Sequence, residues 1–317
     1  MKSNAPRISI CLPVYNGENY VREAIRSVLD QTFKDFELII SDNSSVDRTA
    51  EICREFASKD PRVHYSRSEV NRGLAWNYNH TFEFARGSYV MWMSHDDILA
   101  KDYVGRCFEA LEQDLGAGLC FTNSNDIDEK GNLTGKFDSQ NVGAFDSVSE
   151  RYKNMLRFES RCDAIFGLMR RDVLKQTRMH GRFDGSDWVL LTEMGLRGRF
   201  ILIPDFLFSR RKHVSQASRR HRFERTLIFD PTKAGTMVFP FFQLATGYLL
   251  AISRAQLPWT ERLRCYEHFL KWLWPYRTYL LNDLIRNLDS AMQRHLPEGL
   301  FNRLISVKRR LFKRSWT

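Results

Sequence analysis

Apolar and polar positions alternate in blocks along the first hundred residues, rather than position by position. Four short apolar, β-prone runs occur, at residues 8–14, 36–41, 63–66 and 89–93. Between them, apolar residues recur at helical spacing and predict three helices, at 19–31, 47–59 and 74–85. Apolar strands that alternate with helices indicate an α/β fold whose mostly parallel sheet is covered by helices on both faces.

The pattern changes in the rest of the chain. One strand and a turn at Gly131 and Asn132 are predicted within 119–139, and another strand at 166–169. Beyond residue 225 the periodicity is helical only. We therefore predict an α/β domain over residues 1–225 and a helical C-terminal extension over 226–317. Helices in the second half of the predicted domain fall within 140–160, from Asp172 onward, and at 186–197.

Charge sets the C-terminal part of the chain apart. Residues 211–317 carry 20 Lys and Arg against 7 Asp and Glu, a balance of +13, whereas residues 1–210 sum to −3. A basic segment that also holds Trp272 and Trp274 suits an anionic membrane surface, with a dimer surface and a helical lid as alternatives. Nucleic-acid binding would rest on charge alone, without a recognisable module, and is not expected.

Three features of the sequence bear on its compartment. Residues 1–7 lack the apolar core of a signal peptide. The most apolar stretch, 237–252, is shorter than the roughly 20 residues of a membrane-spanning helix. The six cysteines form no C-x-x-C pair, which disfavours a zinc site and a disulfide framework. We expect a cytoplasmic protein, with peripheral contact to the inner membrane face as an open alternative.

An acidic pair directly follows the fourth predicted strand. Parallel sheets bind ligands at the carboxyl ends of their strands, which is where Asp96 and Asp97 fall. Adjacent carboxylates repel, and a divalent cation such as Mg²⁺ or Mn²⁺ would compensate them, because proteins hold these ions through one or two carboxylates plus substrate phosphates. The alternative is that Asp97 caps a helical turn that starts near Ile98.

Three other polar residues each allow a chemical and a structural interpretation. Asp42 ends the second strand, and could hydrogen-bond a base or ribose or shape a turn with Ser45. Asp187 lies at a predicted helix start, and could be a general base or a helix cap. His213 lies in a basic run, and could ligate a metal or bind phosphate, or belong to a charged surface.

Taken in order, these pieces resemble the family 2 glycosyltransferases, which have the GT-A fold and invert the anomeric configuration of the transferred sugar. The resemblance is specific over about residues 7–105, looser to about 220, and absent past 225. It implies a Rossmann-like nucleotide-sugar-binding domain over residues 1–225 and a nucleoside-diphosphate-sugar donor. The matching segments are residues 10–16, 24–32, 37–47, 71–73 and 85–90, followed by Asp96 and Asp97.

The resemblance also implies roles at the nucleotide. Pro13, Tyr15 and Asn16 would line the nucleotide pocket. Asp42 would hydrogen-bond the base, expected to be uracil, and Arg72 would lie near the base or the diphosphate.

At the reaction centre, Asp96 would face the ribose or the metal and Asp97 would ligate the metal. Asp187 matches the place of the family's catalytic base. His213 matches a downstream histidine near the diphosphate, as a candidate metal ligand.

Three positions depart from the family's pattern. Ser94 replaces the first acid of its D-x-D signature, Ser186 replaces a frequent Glu before the base, and Trp76 replaces an arginine. These departures bear on metal affinity and donor identity more than on fold.

We expect an inverting, metal-dependent transferase that moves one sugar from a UDP-sugar to a saccharide or lipid-linked acceptor in cell-surface polysaccharide or glycolipid assembly. The chain lacks the Q-x-x-R-W motif and the multiple spans of processive synthases, which favours single-sugar transfer. The alternatives are a catalytically degenerate nucleotide-sugar-binding protein and a sugar nucleotidyltransferase.

Overall fold

The computed structural model describes residues 5–157, 161–214, 216, 220 and 222–295. Residues 296–317, the most basic part of the predicted extension, lie outside the described residues. The order of elements is strand–helix alternation up to residue 92, a mixed middle region, and helices from residue 222 onward. The predicted α/β fold with a helical C-terminal extension is confirmed.

Four parallel strands form one half of the sheet, in the order β3-β2-β1-β4. All seven residues of β1 and all seven of β2 are buried, as expected for strands covered on both faces. The strands are β1 (Ile8–Val14), β2 (Phe36–Asp42), β3 (Val63–Arg67) and β4 (Tyr89–Trp92). The connecting helices are α1 (Val21–Leu29), α2 (Thr49–Lys59) and α3 (Leu74–Glu83).

The other half of the sheet is mixed. It continues from β4 in the order β8-β6-β9-β5, and β7 pairs with β6. The β6–β9 pair is parallel, whereas β4–β8, β6–β8, β6–β7 and β5–β9 are antiparallel. These elements are β5 (Ile98–Leu99), α4 (Tyr103–Gln113), β6 (Ala117–Ile127), β7 (Leu133–Phe137), β8 (Leu168–Arg170) and β9 (Arg199–Arg211).

The C-terminal helices pack onto the α/β domain. Tyr152, Val189, Tyr248 and Phe269, from four different helices, belong to one buried apolar cluster. The α8 helix runs across the boundary predicted at residue 225, so that division stays a prediction. The helices are α5 (Val148–Met155), α6 (Arg171–Leu174), α7 (Ser186–Gly195), α8 (Arg222–Phe229), α9 (Pro240–Arg254) and α10 (Trp259–His295).

The apolar stretch at 237–252 became most of α9, whose inner face is buried against α7 and α10. Within the described residues, none of the helices combines the length and the apolar character needed to cross a bilayer.

Candidate functional site

The loop that follows β4 carries the acidic pair. Asp96 is buried, and its two oxygens accept hydrogen bonds from the Ser94 hydroxyl and from His213, whose Nε2 lies 2.9 Å from Oδ2. Burial opposes ionisation of Asp96, but the hydrogen bond from His213, the charge of His95 and the hydrogen bond from Ser94 outweigh it. The pKa of Asp96 therefore lies well below its usual range. Asp96 is an anion held by its neighbours.

The pKa of Asp97 is shifted in the opposite direction. Its Oδ1 accepts a hydrogen bond from the Arg211 backbone N–H at 2.9 Å, and the residue is 3% exposed. Burial, followed by the charge of Asp96, raises the pKa of Asp97 well above its usual value. Asp97 caps no helix, since β5 follows directly and α4 has Asp102 at its N-cap. A cation beside Asp97 would relieve both the desolvation and the repulsion.

Arg211, the last residue of β9, fixes the acidic pair from behind. Its side chain is 1% exposed, and Nε donates to the Asp96 carbonyl at 3.0 Å. One terminal nitrogen donates to the carbonyls of Asp128 and Glu129, and the other pairs with the Glu23 carboxylate. Because its backbone N–H also bonds to Asp97, Arg211 holds the carboxylate of Asp97 and the backbone of Asp96.

Asp187 lies in the first turn of α7, with its carboxylate in a cleft beside the acidic pair. Its Oδ1 accepts a hydrogen bond from the Trp188 N–H at 3.0 Å, and the Cys162 thiol also bonds to the carboxylate. Burial is the main cause that raises the pKa of Asp187, and the charge of Asp184 adds to it. The helix-cap interpretation is wrong, because the N-cap residue of α7 is Gly185 and Asp187 bonds to the N–H of the next residue, inside the first turn. The raised pKa suits a group that accepts a proton.

The cleft has a volume of about 660 Å³ and is lined by Asp96, Asp97 and Asp187 together. Acidic and basic groups therefore converge on one cavity, a setting that suits a charged, hydroxyl-bearing ligand. The cationic residues of the lining are Arg157, Arg161, Arg210, Arg220 and Arg225.

A network of ion pairs and hydrogen bonds around Arg161 forms another part of the cleft wall. Arg161 donates to Asp163 at 2.6 Å, to Asp126 at 2.8 Å and to the Ser124 hydroxyl at 2.9 Å. The Ser124 hydroxyl donates in turn to Asp163 at 2.6 Å. These carboxylates are compensated by protein groups, so the network supports the cleft and leaves Asp97 and Asp187 as its poorly compensated acids.

Asp42 lies at the same sheet edge, but both of its carboxylate oxygens already accept hydrogen bonds from protein groups. It is fully buried, and Oδ1 accepts a hydrogen bond from the Ser45 N–H at 2.8 Å. Its Oδ2 accepts one from the Tyr65 hydroxyl at 2.9 Å and lies 3.4 Å from Arg67 Nε. The turn-shaping interpretation describes these contacts. A contact with a base stays a prediction, and it would require Asp42 to exchange one of these partners.

The other residues predicted at the nucleotide occupy the neighbouring loops. Pro13 is buried in β1, whereas Tyr15 is 42% exposed. Asn16 adopts a φ of 51°, and its N–H donates to the Ser45 hydroxyl at 2.9 Å. The exposed Arg72 lies over the Trp76 ring, with 5.0 Å between its guanidinium carbon and the ring centroid. The described lining of the cleft includes none of Pro13, Tyr15, Asn16, Asp42 and Arg72.

The α8 helix connects these loops to the cleft. A Cβ atom at Gly73, whose φ is 88°, would lie 2.5 Å from the Phe229 carbonyl oxygen, so the end of α8 rests directly on the loop before α3. Arg225 on the same helix bonds to Asp184 at 2.9 Å. The α8 helix therefore contacts both the loop of Arg72 and the loop that precedes Asp187.

The residues near Asp97 fit a divalent metal only in part. Among the described residues, no three His, Cys, Asp or Glu side chains are grouped so that they could hold a metal ion alone. Asp97 has a poorly compensated carboxylate, while the oxygens of Asp96 are already bonded to Ser94 and His213. Such a site suits Mg²⁺ or Mn²⁺ when donor phosphate oxygens supply the remaining ligands.

The sequence alone did not single out Arg211, Tyr78 or Cys162. Arg211 lies in the basic run, for which a charged surface was one interpretation. Arg211 is buried and the side chain of His213 is only 10% exposed, so neither residue belongs to a charged surface. Tyr78 lines the cleft, and the carboxylates of Asp96, Asp97 and Asp187 help burial to raise the pKa of its hydroxyl. The sequence does contain one signal that points to Arg211, because this residue ends the largely apolar run that forms β9.

The sequence and structure are similar to those of known glycosyltransferases. The chain is 34% identical to the chondroitin synthase of Escherichia coli over 128 residues, 40% of this chain but 18% of that protein. It is 27% identical over 191 residues to the GalNAc(5)-diNAcBac-PP-undecaprenol beta-1,3-glucosyltransferase of Campylobacter jejuni, 59% of this chain and 60% of the other. The chain thus spans less than two thirds of either relative.

Two solved structures share the fold. Staphylococcus aureus TarS 1-349 in complex with UDP-GlcNAc superposes with a TM-score of 0.65 at 16% identity, over 90% of this chain and 81% of that one. The mannosyltransferase PcManGT of Pyrobaculum calidifontis, in complex with GDP-Man and Mn²⁺, has a TM-score of 0.52 at 18% identity, over 90% of this chain and 88% of the other.

The model of the family described as "Glycosyl transferase family 2" matches residues 9–178, which is more than half of the chain. This range contains β1 to β4, the acidic pair and most of the mixed part of the sheet. The chain belongs to glycosyl transferase family 2.

Proposed function

We propose that this chain transfers a single sugar from a nucleoside-diphosphate sugar, expected to be a UDP-sugar, to an acceptor hydroxyl with inversion at the anomeric carbon. One observation carries the proposal: Asp187 lines the same cleft as Asp96 and Asp97, with its pKa raised by burial. A proton acceptor therefore faces the acids best suited to a divalent cation, the usual partner of a diphosphate.

Each acid has a separate task in this mechanism. Asp187 takes the proton from the acceptor hydroxyl as its oxygen attacks the anomeric carbon, and the bond from that carbon to the diphosphate oxygen breaks on the opposite face. One such displacement inverts the anomeric configuration. Asp97, with Asp96 beside it, would hold the divalent cation that faces the donor diphosphate, and Arg211 bonds to the Asp97 carboxylate and to the Asp96 backbone. Mn²⁺ or Mg²⁺, when bound there, supplies neutralisation of charge on the leaving diphosphate.

The acceptor class is drawn from the relatives. The names of two of them refer to chondroitin synthesis and to transfer onto an undecaprenol-linked glycan. We propose that the acceptor is likewise a saccharide or a lipid-linked glycan, in the assembly of a cell-surface polysaccharide or glycolipid.

The direct test compares the wild type with Asp187→Asn and Asp97→Asn, with UDP-sugars and Mn²⁺. We expect Asp187→Asn to lower the transfer rate by about 10²–10⁴-fold, the usual contribution of general base catalysis. Asp97→Asn should instead raise the Mn²⁺ concentration required for UDP binding. NMR of the product should show an anomeric configuration opposite to that of the donor. Near-normal transfer by both folded variants would refute the residue assignments.

The same assay separates the rival functions. A sugar nucleotidyltransferase would release pyrophosphate, whereas the proposed reaction releases a free nucleoside diphosphate. A degenerate binder would bind UDP-sugar without turnover across the acceptor panel. The length of the products decides whether one sugar or many are added.

We further propose that α10 binds an anionic membrane surface. Seven large apolar side chains among the described ones of this helix are exposed, and all of them except Tyr279 fall, at 100° per residue, within an arc of about 80°. Arg277, exposed within the same arc, lies over the Trp274 ring at 4.4 Å. The six residues form what we call the apolar stripe: Trp259, Leu263, Leu270, Trp274, Leu281 and Leu284.

Charge favours a lipid surface over a second helix as the partner of the apolar stripe. Arg277 would be buried between two packed helices without a counter-charge on the stripe, a costly arrangement. At a bilayer it would meet lipid phosphates while the Trp and Leu side chains enter the acyl boundary. On one side of the stripe, the exposed Lys271 pairs with Glu267, which lies closer to the stripe.

Co-flotation with phosphatidylglycerol vesicles tests this surface. We expect the wild type to float at low salt, and the double variant Leu270→Ser and Trp274→Ser to remain with the soluble fraction. The control Leu115→Ser removes an equally exposed leucine far along the chain from α10 and should float. Equal flotation of all three proteins would overturn the proposal, as would a wild-type dimer in light scattering that the double variant abolishes.

A further inference from the structure

The cleft that Asp187 lines is bounded by two different parts of the fold. The acidic pair is bonded to the last residue of β9. Leu244 of α9 and Trp188 of α7 line the same cleft, and both pack in the apolar cluster of the C-terminal helices. Asp187 directly precedes Trp188, so the candidate base is held next to the part of the cleft wall that α9 supplies. We call this part the α9 side.

Arg157 belongs to the α9 side of the cleft. Its backbone N–H donates to the Tyr248 hydroxyl at 3.3 Å, and this hydroxyl donates to the Arg157 carbonyl at 2.9 Å. Tyr248 lies on α9, one turn after Leu244. The backbone of Arg157 is therefore fixed to α9, while its partly buried side chain lines the cleft.

The arginines of the cleft lining differ in their counter-charges. Three of them pair with carboxylates of the same wall, namely Arg161 and Arg210 with Asp163, and Arg225 with Asp184. The guanidinium of Arg157 forms no ion pair within the part of the chain that the structure describes, and its hydrogen bond to the Gln140 amide oxygen is long, at 3.5 Å. Like Arg157, the exposed Arg220 has no carboxylate partner among the described residues, but only Arg157 is bonded to α9.

An unpaired guanidinium in a cleft selects an anion. Arginine stays charged at any working pH, and its planar fork of N–H donors matches a carboxylate or a phosphate through two parallel hydrogen bonds. A partly buried charge has lost hydration, and a sugar hydroxyl does not replace the missing counter-charge. Arg157 therefore favours a ligand with an acid group at the α9 side.

The direction of the proposed reaction separates the donor from the acceptor as the source of this acid group. In an inverting displacement, the attacking hydroxyl and the leaving diphosphate lie on opposite faces of the transferred sugar. The diphosphate lies at the acidic pair in this mechanism, and the attacking hydroxyl lies at Asp187, next to the α9 side. Arg157 is thus on the acceptor's side. The net charge of +10 also favours the approach of an anionic glycan.

We propose that Arg157 binds an acid group on the acceptor sugar, so that the enzyme selects an anionic glycan as its acceptor. The inference rests on the proposed transfer reaction. Two sources offer the same chemistry, the C6 carboxylate of a uronic acid and the phosphate of a sugar 6-phosphate. Either would form a charge-assisted pair with Arg157 while a hydroxyl of the same sugar reaches Asp187.

Acceptors that differ only at C6 test this selection. The series is 4-nitrophenyl β-glucoside, its 6-phosphate and the β-glucuronide, with the matching galactose series. We expect the wild type to have a KM about tenfold or more lower for one acid form than for the neutral glycoside, the effect of a hydrogen bond to a charged group. Arg157→Gln should abolish this difference by raising the KM of the acid form, and Arg157→Lys should retain part of it. The acid that is preferred identifies the source.

Arg26→Gln is the matched control, because it removes the same charge at an exposed position of α1 outside the cleft lining. This variant should keep the wild-type preference. UDP affinity with Mn²⁺, measured by calorimetry, should be equal in the wild type and Arg157→Gln. A fall in UDP affinity without a change in acceptor preference would mean that Arg157 binds the donor, and would overturn the inference.

The remaining outcomes separate this inference from the proposed function. Transfer that shows no preference for an acid form in the wild type, or the same preference in Arg157→Gln, refutes the role of Arg157 while the transfer reaction stands. If UDP binds and none of the glycosides is an acceptor, saturation-transfer NMR with UDP and Mn²⁺ decides: equal signals from the acid and neutral glycosides refute the inference. If UDP does not bind, the proposed function fails and this inference with it.

Discussion

Two regions at the same sheet edge bury carboxylates in opposite ways. At the nucleotide loops, the protein satisfies Asp42 through Ser45 and Tyr65, with Arg67 nearby. In the cleft, Asp97 and Asp187 are also buried, but burial raises their pKa because few groups compensate them. The comparison shows that burial of an acid does not decide its role. An acid that the protein has satisfied stabilises a loop, while an uncompensated one is available to a cation or a proton.

The largest change should follow from Arg211→Met, which removes the group that fixes the acidic pair. The carbonyls of Asp96, Asp128 and Glu129 would lose their donor, and Glu23 its counter-charge. We expect a loss of about 3–5 kcal/mol in the free energy of unfolding, because three carbonyl oxygens lose their donor and each such loss costs about 1–3 kcal/mol. Urea denaturation measures it.

An exposed arginine provides the control for this prediction. Arg48→Met breaks a fully exposed surface pair with Glu51, and its free energy of unfolding should stay close to that of the wild type. A loss of similar size in both variants would mean that Arg211 is no more important than a surface charge.

A smaller loss is expected from Asp42→Asn. The amide keeps one acceptor oxygen but replaces the other by a donor, so it cannot accept from both Ser45 and Tyr65. The unfolding free energy should fall by about 1–3 kcal/mol. Asp205→Asn, at an exposed site paired with Arg106, is the matched control and should lose little.

UDP affinity of the Asp42 variant then separates the two roles of this residue. If Asp42 also binds the base, affinity for UDP should fall by more than the affinity for the diphosphate alone. If the two affinities fall together or not at all, Asp42 acts as a structural residue of the turn.

The parallel half of the fold could be predicted from the sequence because its signals are local. The strands β1 to β4 begin at the predicted residues and end within one residue of the prediction, since each is an uninterrupted apolar run. The β9 strand was not predicted because Pro204 and Asp205 interrupt its apolar run. It is held as a strand by its pairing with β6, which is distant in sequence. The two-residue β5 exists only through its pairing with β9.

In the candidate site, too, the features set by local sequence could be predicted and those set by distant contacts could not. The positions of Asp42, Asp96 and Asp97 follow from the strand ends, so sequence reasoning found them. Which of them the protein satisfies depends on distant partners such as Tyr65 and Arg211, and a single sequence does not show these contacts. The part of the cleft wall that comes from α8 and α9 depends on the tertiary packing of helices that lie outside the match to the family model.

The smallest change, and one of opposite sign, is expected from Asp187→Asn. The pKa of this carboxyl is higher in the folded protein than in the unfolded chain, where it is about 3.9. Below that pH both states are protonated, and the variant should match the wild type in stability. As pH rises through the folded-state pKa, the unfolded chain ionises first, so the wild type loses stability by about 1.4 kcal/mol for each unit of difference. Asparagine does not ionise and keeps its bond to Trp188. Urea unfolding of both proteins between acid and neutral pH should therefore show that the variant is the more stable protein at neutral pH only. A variant that is less stable at neutral pH would show that the Asp187 charge is compensated after all, and the contrast with Asp42 would not hold.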